Sequence, residues 1–175
     1  LTFEVAIEDA SGNPASCFAN VTVGGLPCDW RDNGGIGCND NLNSSSHDAV
    51  QETFSITANS CIPAFPYTSD QAAFVFQELC GDGQIEAYVE SVSGNGYAGI
   101  MMRDSEDPGA TMVALGTNGV NRVQRQVRVL PNYPAYPQSL LSYDKYWLRI
   151  VRTGAQFKAF ASVDGVQWIP YIFQY

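Results

Sequence analysis

Gln84-Ile85-Glu86-Ala87-Tyr88-Val89-Glu90-Ser91-Val92 decides the fold class, because apolar and polar residues alternate along it. A period of two puts Ile85, Ala87 and Val89 on one side of an extended chain and Glu86, Tyr88 and Glu90 on the other. That is a strand with one face in a core and one in water. The same period appears on both sides of it. Phe3, Val5 and Ile7 share a face of an early strand; Phe18, Val21 and Val23 mark the next, with Cys17 at its start. Further strands are expected at residues 53–57, 72–79, 97–103, 111–116 and 120–130. A last hairpin should pair 146–152 with 156–162 across Thr153-Gly154-Ala155. Glycine, proline, asparagine and aspartate punctuate these runs, and no segment carries a capped helical stripe. The fold class is therefore all-β, in the form of a sandwich.

The bulk composition bounds the function. The chain has 175 residues, 45% of them hydrophobic and 12% aromatic, enough to bury a real core. A net charge of -9, with lysine only at positions 145 and 158, argues against nucleic acid and anionic membrane surfaces as partners. No run approaches the roughly 20 apolar residues of a membrane-spanning helix. Leu1 already lies in a strand pattern, so the chain is expected to be an excerpt of a longer one whose export signal lies outside it.

Five cysteines (Cys17, Cys28, Cys38, Cys61 and Cys80) are spread among Asn, Ser, Thr and Gly, and His47 is the one histidine. With no Cys-x-x-Cys and so few ligands, disulfides in an oxidising, extracellular compartment are expected rather than a zinc cage. Cys28, Cys38, Cys61 and Cys80 allow three pairings. Cys28–Cys38 with Cys61–Cys80 closes the shortest loops, for about 3 kcal/mol each on the chain-entropy model. The odd count leaves Cys17 without a partner inside the chain.

Three domain-level pieces follow: residues 1–23, a Gly24-Gly25-Leu26-Pro27 linker, and residues 28–175. The first carries Asp9-Ala10-Ser11-Gly12-Asn13-Pro14-Ala15-Ser16-Cys17 and then Val21-Thr22-Val23. It resembles the closing strands of a hyalin-repeat (HYR) module, an immunoglobulin-like domain of extracellular proteins. The resemblance implies that Cys17 pairs with a cysteine preceding Leu1. The third piece carries Gly81-Asp82-Gly83-Gln84-Ile85, Gly96-Tyr97-Ala98-Gly99-Ile100-Met101-Met102-Arg103-Asp104, Tyr146-Trp147-Leu148-Arg149-Ile150-Val151-Arg152 and Ser162-Val163-Asp164-Gly165-Val166-Gln167-Trp168. It resembles the concanavalin A-like lectin/glucanase superfamily, as found in modules of large bacterial surface proteins, and implies a jelly-roll sandwich. Members normally add further strands after the Asp-Gly-x-x-Trp turn, so whether the sandwich closes within the chain stays open.

That superfamily hosts lectins, glycanases and inert modules alike, so the residues must decide. Retaining glycanases need two carboxylates about 5 to 5.5 Å apart. Glu86 and Glu90 are four residues apart on one strand face, roughly 13 Å by strand rise. Asp104, Glu106 and Asp107 lie instead in a Pro/Gly turn, which reads as a solvated strand end with Arg103 pairing locally. Ser46-His47-Asp48 holds triad residue types, but sequence neighbours point apart. No enzyme is expected.

Calcium is the one ion the residues could serve. Asp29, Asp32, Asn33 and Asp40, with Asn39 and Asn41, supply hard oxygens from one stretch, although the same residue types also build ordinary turns. For ligand binding, Asn132-Tyr133-Pro134-Ala135-Tyr136-Pro137 is the leading candidate. Tyr133 and Tyr136 on a proline-stiffened loop could stack on a sugar or grip a partner, with Trp30 in a similar role, while the plainer expectation is that the tyrosines cover one end of the sandwich. Arg122, Arg125 and Arg128 are expected to alternate faces of a strand and balance nearby acids. The expected function is a structural or adhesive module of a large secreted bacterial surface protein or fibre, partnered by neighbouring modules or by its own copies. A carbohydrate-binding module is the alternative.

Overall fold

The computed structural model describes residues 2–8, 14–20, 26–27, 29–37, 42–59, 68–94, 96–118, 122–141 and 146–171. It is all-β, with no α-helix among the described residues. Two compact units form: Leu1–Ile62 with Gln71–Gln77, and Pro63–Asp70 with Glu78–Tyr175. This partition does not coincide with the division read at residues 24–27, since residues 28–62 go with the first unit.

In the first unit, β1 (Thr2–Glu8) and β2 (Pro14–Asn20) pair antiparallel with Val5 opposite Cys17. After β3 (Arg31–Asp32) comes a hairpin of β4 (Ser44–Asp48) and β5 (Thr53–Thr57), with His47 opposite Phe54. The sequence marks β5 but not β4, because Ser-Ser-Ser-His-Asp has no apolar alternation. What makes it a strand is its partner and a turn closed by Asp48, whose Oδ1 accepts the N–H groups of Val50 and Gln51 at 2.8 and 3.2 Å. β6 (Val75–Phe76) pairs with β3, and beside them buried Ile36 exchanges two backbone hydrogen bonds with Ala72.

The second unit is a sandwich of two four-stranded antiparallel sheets. One runs β11 (Gln138–Leu141), β10 (Val123–Arg128), β9 (Met112–Thr117), β8 (Ala98–Arg103). The other runs β14 (Ile169–Tyr171), β13 (Gln156–Ser162), β12 (Tyr146–Thr153), β7 (Gly83–Val89). Alternate residues of both meet in one core: Ile100, Val113, Leu115 and Val123 from the first sheet, Leu148, Ile150, Ala159 and Ala161 from the second, all buried. Each large aliphatic side chain buried there contributes about 1.5–3 kcal/mol. Ile85, Ala87 and Val89 pack against this cluster, on the face that their alternation predicts.

Two turns close the second sheet. Asp82 Oδ1 accepts the N–H of Gly154 and so ties the start of β7 to the β12–β13 turn. In the turn after β13, Asp164 Oδ1 accepts the N–H groups of Gln167 and Val166 at 2.8 Å and the Ser162 hydroxyl at 2.9 Å. These donors, the two backbone N–H groups first, hold the Asp164 carboxyl below the usual carboxylate range. Gly165 follows with φ 73°, a left-handed conformation that suits glycine.

Candidate recognition loop

Arg103, Met112 and Arg128 share one cross-strand rung of β8, β9 and β10. Alternation puts them opposite to the core face, where water would be the default neighbour. Yet the Arg128 side chain is 0% exposed, and the Arg103 and Asp70 side chains are 4% and 8% exposed. Asp70 joins the two guanidinium groups. Arg128 donates from Nη1 to Oδ2 at 2.9 Å and from Nη2 to Oδ1 at 2.7 Å, the paired geometry that suits a planar fork to a carboxylate. Arg103 Nη1 donates to Oδ2 at 3.0 Å.

Two cations share one carboxylate, so the remaining donors need oxygens, and main-chain carbonyls supply them. Arg128 donates to the carbonyls of Pro108, Ala110 and Tyr133, and Arg103 to those of Ser105 and Asp107. Asp70 N–H in turn donates to Pro108 O at 2.7 Å. Burial pushes the Arg103 pKa down and Asp70 opposes that push. The acidic turn is thus a collar of carbonyls around two buried arginines. Asp104, Glu106 and Asp107 are exposed, as a solvated strand end requires. The local pairing read for Arg103 holds, with an aspartate 33 positions away added to it, and Arg128 balances that same acid, though from a fully buried position. Arg125, for its part, donates to the amide oxygen of Gln138 on β11.

The node ends on the tyrosine loop. Arg128 Nε donates to Tyr133 O at 2.9 Å, Asn132 N–H to Gly109 O at 2.8 Å, and Tyr133 N–H to Leu130 O at 3.1 Å. Asn132 adopts φ 60°, a left-handed conformation that asparagine tolerates. A Cβ at Gly109 would overlap Asn132 Oδ1, which explains glycine there. Ala135 is fully buried between Tyr133 and Tyr136, each 57% exposed. The loop is pinned at its middle and shows both rings to solvent beside exposed Val129 and Leu130.

Trp30, in the first unit, is half-buried against Phe54 at 4.7 Å between ring centroids, and His47 packs on the same ring at 4.6 Å. Its setting is that of a packed ring more than of an open platform. Asp29 is exposed, with φ 68°. Both oxygens of Asp32 are engaged, Oδ1 by the Gly34 N–H at 2.7 Å and Oδ2 by the Ser45 hydroxyl. Asn33 is half-buried, and Asp40 lies outside the described residues. Among the described residues, no three Asp, Glu, His or Cys side chains gather where they could hold a metal ion. Cys80 is an exposed free thiol; Cys28, Cys38 and Cys61 lie outside the described residues.

Sequence reading missed Asp70 and the burial of both arginine side chains. Arg128 falls in step with Gln124 and Gln126, which marks an ordinary wet strand face; only the strand register brings it level with Arg103. Compared with known protein families, curated proteins and solved structures, the chain matches none.

Proposed function

We propose that this chain is a non-enzymatic adhesive module of a large secreted bacterial surface protein, and that it meets a second copy of itself through the loop carrying Tyr133 and Tyr136. One observation carries the reading: two exposed tyrosines on a loop in which Ala135, between them, is fully buried and whose backbone is held by a buried arginine. Such rings offer contact area at low entropic cost, because the loop has little freedom left to lose on binding. The resemblance to hyalin-repeat and concanavalin A-like modules supports a place in a serial, extracellular array. The acidic composition keeps such an array soluble.

Sedimentation velocity across a wide concentration range tests this on the wild-type chain and on a Tyr133→Ala/Tyr136→Ala variant. Association that rises with concentration is expected for the wild type, with the variant losing about tenfold or more in affinity at unchanged melting temperature. A wild type that stays monomeric, or a variant that associates equally well, contradicts the assignment.

A further inference from the structure

Of the nine prolines in the chain, Pro108 is the one that an aspartate precedes. The Asp107–Pro108 bond differs chemically from its neighbours. Its nitrogen belongs to a tertiary amide, and the aspartate carboxyl can close a five-membered ring onto the main-chain carbonyl carbon beside it. The bond opens the turn Asp107-Pro108-Gly109-Ala110, in which the N–H of Ala110 donates to Asp107 O at 2.9 Å. Asp107 itself is exposed.

A second donor reaches the same carbonyl oxygen: Arg103 Nη2 bonds Asp107 O. That guanidinium has little freedom, because Asp70 Oδ2 holds it at 3.0 Å and Ser105 O at 2.6 Å, with the side chain 4% exposed. A guanidinium and a backbone N–H converging on one carbonyl oxygen form the donor pair that stabilises an oxyanion. Both are in place before any charge develops, and water-poor surroundings strengthen them. The far side of the bond is held as well. Pro108 O accepts the Asp70 N–H at 2.7 Å and Arg128 Nη1 at 3.2 Å. The fold thus polarises the carbonyl and fixes the leaving residue, while the Asp107 carboxyl stays on the solvent side.

We infer that this chain cleaves its own Asp107–Pro108 bond. An oxygen of the Asp107 carboxyl attacks the Asp107 main-chain carbonyl carbon, and the carbonyl electrons move onto the oxygen that Arg103 and Ala110 hold. As that oxyanion collapses, the C–N bond to Pro108 breaks and its electron pair stays on nitrogen. The carboxyl proton passes to that nitrogen. Pro108 is left with a free secondary amine and Asp107 with a cyclic anhydride. Water then opens the anhydride to two carboxyl groups, and nothing is oxidised or reduced. Each chain reacts once, so the event is processing and not turnover. β8 stays paired with β9 across the break, from Arg103–Met112 to Ala98–Thr117, which keeps the two pieces together until they are denatured. The inference does not rest on association through the tyrosine loop.

The experiment incubates the wild-type chain at mildly acidic pH, folded in one arm and in urea in the other. Denaturing electrophoresis and intact mass read the pieces. Residues 1–107 and 108–175 should appear about tenfold or more faster from the folded chain, because only the fold places Arg103 on the carbonyl. The rate should not change with protein concentration, as an intramolecular step requires. Asp107→Ala should stay whole. Arg103→Gln, checked for fold by near-UV circular dichroism, should cleave only as fast as the chain in urea; should it not fold, the urea arm reads the same contribution. Asp104→Asn changes a nearby acid that no proline follows, and should cleave like the wild type. A folded wild type that stays whole overturns the inference, as do equal rates in the two arms or cleavage that survives Asp107→Ala. So does a folded Arg103→Gln that cleaves at the wild-type rate, or loss of cleavage in Asp104→Asn.

Discussion

Arg128→Ala should cost this protein about 3–5 kcal/mol, a large share of the stability of an ordinary domain. The substitution removes a fully buried guanidinium that bonds Asp70 at two points and the carbonyls of Pro108, Ala110 and Tyr133. Those oxygens would be left in an interior that water reaches poorly, and the cost of unsatisfied buried acceptors adds to the lost ion pair. Arg128→Lys should recover little, because one ammonium cannot reproduce a planar fork that serves a carboxylate and three carbonyls. Asp70→Asn should be at least as damaging as Arg128→Ala, since it leaves two buried cations without a counter-charge. Chemical denaturation followed by tryptophan fluorescence measures all three. A loss below about 1 kcal/mol for Arg128→Ala would mean that the node behaves like an exposed surface pair.

Gly99→Ala carries the second large effect, through backbone rather than charge. Gly99 on β8 lies opposite Gly116 on β9. A Cβ at Gly99 would overlap the Leu115 carbonyl oxygen and come 2.5 Å from Gly116 Cα. Neither atom belongs to a flexible side chain, so the two strands themselves would have to part. A cost of roughly 1–3 kcal/mol follows, towards the upper end because the obstacle is backbone. Gly96→Ala is the control: a Cβ there meets nothing within 4 Å, and the change should be neutral or slightly stabilising. Equal melting temperatures for the two variants would contradict the close approach of β8 and β9.

What could be seen in advance follows from the range of the forces involved. Alternation is local, so β5, β7, β8, β9, β10, β12 and β13 are legible within a residue or a few of their ends. β4 is not, because a run of serines pairs through register and turn geometry instead of hydrophobic pattern. β14 is three residues long and contains Pro170, too short and too irregular for periodicity to register. The loop that carries Tyr133 and Tyr136 is legible from its prolines, but the reason it is held still is not. That reason is an aspartate 58 positions from Arg128, and nothing local marks it. Asp29, Asp32 and Asn33 are legible only by residue type. Their composition suggests a cation, while Asp32 closes a turn and engages a serine.

The side-chain pairs across β7 and β12 were hidden for a similar reason. Tyr88 and Trp147 are 59 positions apart and Glu86 and Arg149 are 63 apart; each looks like a single outward residue until the β7–β12 register places it beside its partner. Single-strand alternation tells which face a residue takes but not which neighbours share it.

The central claim is that Tyr133 and Tyr136 stand on a rigid loop, held from beneath by the Asp70–Arg128 node. Amide hydrogen exchange on the native chain tests it most directly. The N–H groups of Asn132 and Tyr133, bonded to Gly109 and Leu130, should exchange nearly as slowly as those of the core strands β9 and β10. In Arg128→Ala they should exchange at least tenfold faster relative to those strands. Exchange of both amides at the rate of a free peptide in the wild type would contradict the account, because the two rings would then lie on a loop that the buried arginine does not hold.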